Sequence, residues 1–519
     1  MEFTSYDFFG ALLGTAGFGL FAWQSVKRWK NQNVSPLLTL LALGLIGFTF
    51  LYRFLFQSAE LTTQMQGVLQ DAGIGAFLAS FYLMSKRSKV LVLLIPGLLL
   101  LFFSATVRFS DVVWEWLSGD KRPATEAAAN TDAASLLVEL GPDDSIEELA
   151  ELLEAYDATA ERAFRNVTLE EDEDLAQFYL VILPDAARRE AFMEALRADK
   201  ENVDFVEVND PVQLSPPADV RFSRPDFRPG PVVSDPEFEK QWAFRSPEYV
   251  QALQLLKRLR PRKKAKVAIL DTGVDGRHED MAPAFNRRSP NTTDKHGHGT
   301  HCAGIAGAPA NNRIGIASFN YEGRYVQILS FPALNQYGGG TDKSIAQAII
   351  DAAESGVDVI SLSLGGPNKT PSRVQQQAIE YALSLNCIVV AAAGNNSGPA
   401  REQSPANVPG VITVTAIGPN GKAARFTNTV EGLKRPVAAP GVEIHSLKAN
   451  GGYVAFNGTS MATPLVAGLL GVMRALRPNL SAEAAYKFLR QNGKTTDEFE
   501  QLGPVLQPHK TLRALRPGA

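Results

Sequence analysis

The sequence predicts an α/β protein: a parallel sheet with helices on both faces, preceded by a small α+β domain and a four-helix transmembrane region. Three observations carry that reading. Apolar runs of strand length, KAKVAIL, VDVISLSL, CIVVAAAG and GVITVTAIG, alternate with helical stretches such as DKSIAQAIIDAAESG and PSRVQQQAIEYALSLN. Continuous apolar strands interleaved with helices mark a sheet buried on both sides. Residues 134–214 alternate shorter strands with charged helices, and four apolar stretches fill the first 110 residues.

The apolar stretches span about residues 8–26, 37–56, 68–84 and 90–107. Each is about long enough to cross hydrocarbon as a helix. KRWK follows the first (Lys27, Arg28, Lys30) and KRSK separates the third from the fourth (Lys86, Arg87, Lys89), whereas QSAELTTQMQG and the N-terminal MEFTSYD carry no basic residue. Basic loops stay in the cytoplasm. The N-terminus and everything beyond residue 110 are therefore expected outside, with the lipid bilayer as a partner. The first stretch lacks a basic leader and a small-residue cleavage site, which argues against a removable signal peptide. Polar residues in the spans are scattered and near the ends, such as Arg53 and Asp71, which argues against a channel or transporter.

Residues 111–133 read as a polar spacer, and 134–214 as a βαββαβ domain. SLLVELG is a strand. DDSIEELAELLEAY is a helix capped by Asp143 or Asp144, and a short strand lies near FRNVTL. LAQFYLVILP is a strand, DAARREAFMEALRADK a helix capped by Asp185, and VDFVEVNDPVQL the last strand. Carboxylates dominate Asp143–Asp174 against Arg162 and Arg165, as expected of a solvated surface. Residues 215–234 are rich in proline, a stretch that cannot join a sheet and stays open to proteolysis. Residues 235–519 form the remaining domain.

The net charge is −4, so no bulk attraction to nucleic acid is expected. Cys302 and Cys387 both lie in apolar surroundings without CxxC spacing, and read as small buried side chains. KAKVAILDTGVDG ends as a strand at Asp271 and turns on Gly273. DKHGHGTHCAG holds three of the six histidines, His296, His298 and His301. GTSMATPLVAGLLGVM starts a helix that places Ser460 at its N-terminus, where free amides favour negative charge.

DTGVDGRHED, HGTHCAG, AAAGNN and GTSMATP, in this order and spacing, resemble the subtilisin-like serine proteases (subtilases). The resemblance covers roughly residues 235–510, including Gln241-Trp242 and SLSLGG. It implies the subtilisin-like fold and an Asp271-His298-Ser460 triad acting as a serine endopeptidase on protein or peptide substrates. It makes His298 the base, His301 a support for the helix start and His296 a loop residue. Asn395 is implied as oxyanion donor, beside the Ser460 N–H. A zinc site from the three histidines is the rival, but HxHxxH is not an established metal spacing and would leave Ser460 without a role. A peptide-binding pseudoprotease is a second alternative, disfavoured because all four residues are present.

The resemblance also implies an extended substrate paired with Gly338, Gly339 and Gly340 on one side and Ser363, Leu364 and Gly365 on the other. It implies a structural Ca²⁺ held by Asp280, the Asn312 side chain, the carbonyls of Ala310, Ile314 and Ile316, and Gln241; a loop closed by asparagine hydrogen bonds without metal is the alternative. No cofactor is implied for catalysis. Residues 134–214 look like the family's inhibitory propeptide, with VDFVEVNDPVQL leading a tail into the cleft. A generic sensor or docking domain is the alternative.

Overall fold

The computed structural model describes residues 135–214 and 232–516. The four apolar stretches, the spacer and most of the proline-rich linker lie outside the described residues. The chain divides into two compact units, Met1–Glu126 and Ala127–Ala519, and the fold below is that of the second.

Residues 135–208 form the expected βαββαβ unit. Strands β1 (Ser135–Leu140), β2 (Thr159–Arg162), β3 (Phe178–Ile182) and β4 (Val203–Val208) make one antiparallel sheet in the order β2-β3-β1-β4. Helix α1 (Ala150–Ala155), entered through a 3₁₀ turn, and helix α2 (Arg189–Ala198) cover one face. Strand alternation divides β1. Leu136, Val138 and Leu140 pack with Phe192 and Leu196 under the helices, while Leu137 faces the larger domain with Phe164, Phe178 and Val374.

Two expectations here need correction. The first helix is capped at Ser145, not at Asp143 or Asp144: the Ser145 N–H donates to the Glu148 carboxylate at 3.0 Å. The second strand is Thr159–Arg162 rather than FRNVTL. Phe164 and Val167 are buried three residues apart in a turn, where they plug the contact with the larger domain instead of alternating. The Asp185 cap is as expected, accepting from the Ala187 N–H at 2.8 Å.

The larger domain is built on a six-stranded parallel sheet. Its strands are β6 (Ala265–Asp271), β7 (Val326–Pro332), β9 (Val359–Leu362), β10 (Ile388–Ala392), β11 (Ile412–Ile417) and β12 (Pro436–Pro440), in the order β12-β11-β10-β9-β6-β7. Alternation again sorts the side chains. Val267 and Ile269 face helices α4 (His298–Gly307) and α7 (Thr459–Leu476). Ala268 and Leu270 face α5 (Asp342–Glu354) and α6 (Arg373–Ser384). Helix α7 is long and apolar enough to cross a membrane, but it is 94% buried and is the core helix of this domain.

The two domains meet through buried charge. Glu139 is 3% exposed and takes a two-pronged ion pair from Arg373, both contacts 3.0 Å, and a 2.7 Å bond from Gln377. Glu207 accepts the N–H groups of Arg373 and Val374 at 2.9 Å, and Asn209 accepts that of Lys343 at 3.0 Å. The end of β4 thus caps two helices of the larger domain, where the helix dipoles favour its negative groups. Arg373→Ala, which strands Glu139 in the interface, should cost about 3 kcal/mol. Glu139→Ala, which frees a half-exposed guanidinium to reach water, should cost clearly less. Thermal unfolding of both variants in a Ser460→Ala background checks this order.

Candidate active site

Asp271 is the last residue of β6, and His298 the first of α4. They meet because Gly299 lets the helix start press on the strand end: a Cβ there would lie 2.1 Å from the Gly273 carbonyl and 3.0 Å from Asp271 Cβ. Gly273 itself turns at φ +116°, a conformation only glycine takes freely. His298 Nδ1 lies 2.8 and 2.9 Å from the two oxygens of Asp271, whose side chain is fully buried. Nε2 has no hydrogen-bond partner among the described residues and is left to handle a proton. Burial alone would lower the imidazole pKa, but the adjacent Asp271 carboxylate overrides it and raises the value well above 6.5.

Asp294 is a positioning residue that sequence reasoning missed. Its carboxylate accepts the N–H groups of His296, Gly297 and Thr300 and the hydroxyls of Thr272 and Thr300, all within 3.0 Å. It therefore caps α4 and ties it to the residue after Asp271. An aspartate just before a Gly-initiated helix is a capping signal that could have revealed it.

Ser460 lies in the first turn of α7. Its hydroxyl donates to the Ser363 carbonyl at 3.1 Å, so it rests against the substrate edge rather than on the imidazole. The Ser460 carbonyl is fixed by the Ser363 hydroxyl at 2.9 Å and the Cys302 thiol at 3.4 Å. Asn395 follows β10. Its Oδ1 accepts from both the N–H and the hydroxyl of Thr459 at 2.9 Å, which leaves Nδ2 without a partner among the described residues. Asn395 and Ser460 line one cavity of about 130 Å³ with Ser363, Leu364 and Gly365. An amide donor thus stands at a helix N-terminus beside a hydroxyl, the arrangement that stabilises a developing oxyanion.

The predicted Gly338–Gly340 edge is already paired. The short strand β5 (Pro211–Gln213) runs antiparallel to β8 (Gly339–Thr341), with Val212 opposite Gly340. The Leu214 N–H donates to the Gly338 carbonyl at 3.0 Å, and Gln213 and Leu214 border the same cavity as Ser460. The strand VDFVEVNDPVQL is therefore broken in two, β4 in its own sheet and β5 in the cleft.

The three histidines do not converge. The His296 and His298 rings are 6.3 Å apart, while His301 stacks on Phe456 at 4.4 Å and bonds the Val454 carbonyl at 3.1 Å. Burial holds His301 neutral, with its pKa pushed down to about 3. Asp271, His298 and Cys302 also cluster, but the imidazole nitrogen among them already belongs to Asp271.

The predicted calcium residues do gather, but not as an oxygen cage. Asn312 turns its Nδ2 donor to Asp280 at 2.9 Å because its Oδ1 is taken by the Ile314 N–H at 2.7 Å. Ile316 likewise gives Asp280 its N–H at 2.8 Å, Gln241 is spent on both backbone groups of Ala317, and the Ala310 carbonyl accepts from Glu322. A cation wants oxygens in those places. The donor set as arranged fits the loop closed by its own hydrogen bonds, and no step below depends on a metal.

A family model described as the subtilase family matches residues 262–504. Thermitase from Thermoactinomyces vulgaris is 40% identical over 215 residues, 40% of this chain and 74% of thermitase. Subtilisin DY from Bacillus licheniformis is 36% identical over 226 residues, 42% of this chain and 79% of its own. The thermophilic serine proteinase of Bacillus sp. (strain AK1) is 41% identical over 214 residues, 40% of this chain, and the match spans 51% of its length. Among solved structures, the epidermin leader peptide processing serine protease from Staphylococcus aureus superposes with a TM-score of 0.56 at 20% identity. That match covers 74% of this chain and 99% of that one, a likeness of fold.

Burial raises the Asp280 carboxyl from 3.8 to about 7. A carboxyl raised on folding lends stability that is fully present below pH 3.8 and is lost as pH climbs through about 7. Asp280→Asn should therefore flatten the decline in Tm between pH 5 and about pH 8. A cation cage predicts the reverse: stability that rises with pH in the wild type and collapses with a chelator.

Proposed function

Because the chain belongs to the subtilase family of serine endopeptidases, we propose that it is a membrane-anchored peptidase that cuts peptide bonds with Ser460, His298 and Asp271. We propose further that it processes its own chain between Leu214 and Val233. The observation that carries this reading is the tail: residues 211–214 lie as an extended strand along Gly338–Thr341 and end beside Ser460. A peptide already occupies the groove that a substrate needs.

The chemistry follows from the geometry. A serine hydroxyl is a weak nucleophile until a base takes its proton. A rotation of the Ser460 side chain away from the Ser363 carbonyl directs it to His298 Nε2. As Oγ attacks the scissile carbonyl, Nε2 accepts the proton, and Asp271 holds the tautomer and stabilises the imidazolium. Asn395 Nδ2 and the Ser460 N–H receive the oxyanion. The imidazolium then gives its proton to the leaving amine, and water repeats the sequence on the acyl-enzyme.

Residues 135–214 act in this reading as the inhibitory propeptide, which caps two helices of the catalytic domain while its tail blocks the groove. The apolar stretches anchor the chain in the bilayer with the peptidase on the outer side, consistent with the loop charges. Cleavage in the proline-rich linker would free the catalytic domain from that anchor.

With a C-terminal tag, the wild type should yield a short soluble species absent from Ser460→Ala. Full-length membrane protein in both would remove the self-release reading. On a peptide substrate, kcat/KM should rise along a limb displaced to the alkaline side of 6.5, since the imidazole must first lose its proton. A limb at or below that value would contradict the Asp271–His298 pairing. Asn395→Ala should lower kcat by about 10²–10³ with little change in KM.

A further inference from the structure

The start of α5 carries a buried carboxyl that the docked tail satisfies only in part. Asp342 is 3% exposed. Its Oδ1 accepts from Gln375 Nε2 at 2.6 Å, and Gln375 is itself fixed through Oε1 by the Ser404 hydroxyl at 2.8 Å. Oδ2 is buried with no well-formed hydrogen bond: the Asp210 N–H and the Ser372 hydroxyl approach the carboxyl closely enough to favour its charge, but that hydroxyl is turned to Glu207 at 3.2 Å. The Asp342 N–H donates to the Asp210 carbonyl at 3.1 Å, so the tail passes directly over this carboxylate.

What the tail brings there is more acid. Burial, then Glu207, then Asp210, raise the Asp342 carboxyl well above its ordinary value. Arg189 lies close enough to Asp210 to favour its charge, but desolvation still raises Asp210 as well. A buried carboxylate with an unmet oxygen is costly, and a cation is the group that relieves it. In an extended strand, residues two apart share a face. Asp210 itself lies just before β5 and is exposed, while Val212 is buried in one core cluster with Ile345 and Leu364; in a substrate extended through both positions, the residue in the place of Asp210 shares the face of Val212.

We propose that Asp342 is the recognition site for a Lys or Arg side chain of the substrate, carried two residues upstream of the one that occupies the Val212 position. This rests on the reading of Gly338–Thr341 as the peptide groove. The tail, presenting Asp210, is a mismatched occupant of that site, and a substrate with a base there fills it better.

The test is a double-mutant cycle in the full chain, carrying Ser460→Ala so that the tail stays uncut. Asp210→Arg should raise Tm by about 3 °C with Asp342 present and give no gain in an Asp342→Asn background. Any repulsion from Arg189 is common to both backgrounds and cancels. An equal shift in the two, or none, overturns the proposal. Should Asp210→Arg fail to fold, hydrolysis decides. Peptides patterned on residues 203–218 with Arg, Ala or Asp at the 210 position should be cleaved by the active full chain in that order. The Arg to Asp ratio in kcat/KM should be about tenfold and vanish in Asp342→Asn. Cleavage of all three at one rate overturns the site while leaving the peptidase standing. Cleavage of none, by a chain that has also not cut its own linker and takes no fluorophosphonate on Ser460, overturns the peptidase reading, and in every case without cleavage the thermal cycle judges Asp342 alone.

Discussion

The structure depends on one close approach, the start of α4 against the end of β6 at Gly299. A side chain there would collide with the Gly273 carbonyl, and the helix would have to retreat from the strand. The Asp271 carboxylate would then lose the His298 nitrogen that compensates its burial, and an unpaired buried carboxylate is among the costliest features a core can hold. Asp294 secures the same contact from the side by capping α4 and binding Thr272. The sheet behind β6 supplies the rigidity. It carries Asp271, Ser363 and Asn395 at or just beyond the C-terminal ends of three parallel strands, the usual place for a site in such sheets.

Helix N-termini are the second organising theme. Ser460 uses the start of α7, and the N-termini of α5 and α6 are capped by Asn209 and Glu207 from the smaller domain. The docking contact therefore exploits orphan N–H groups that any such fold exposes. It also presses the smaller domain's acids together with Asp342, so one interface both holds the tail in place and keeps its fit imperfect.

Much of this was legible in the sequence because the signals were local. Strands such as VAIL and IVVAA and helices such as DKSIAQAIIDAAES announce themselves by apolar period and caps, and the residues at strand ends follow. What was not legible depends on contacts distant in sequence. FRNVTL has strand-like composition, yet Phe164 and Val167 are claimed by the neighbouring domain. Pro436–Pro440 is bounded by prolines and carries no strand signal of its own, yet it pairs as the outer strand of the sheet beside β11. The donors around Asp280 have the right residue types for calcium, while the direction of each amide is set by the Ile314 and Ala317 N–H groups. Asp294 carries only a local capping signal, and Thr459 acts through Asn395 with no motif spacing to mark it as functional.

The central claim is that Ser460 is the nucleophile and that His298 activates it. Mass spectrometry of the full chain after reaction with a fluorophosphonate tests it most directly. The account predicts a single adduct on Ser460, forming faster as pH rises above 6.5 and suppressed in His298→Ala. An adduct on another residue, or undiminished labelling of Ser460 in His298→Ala, would contradict it.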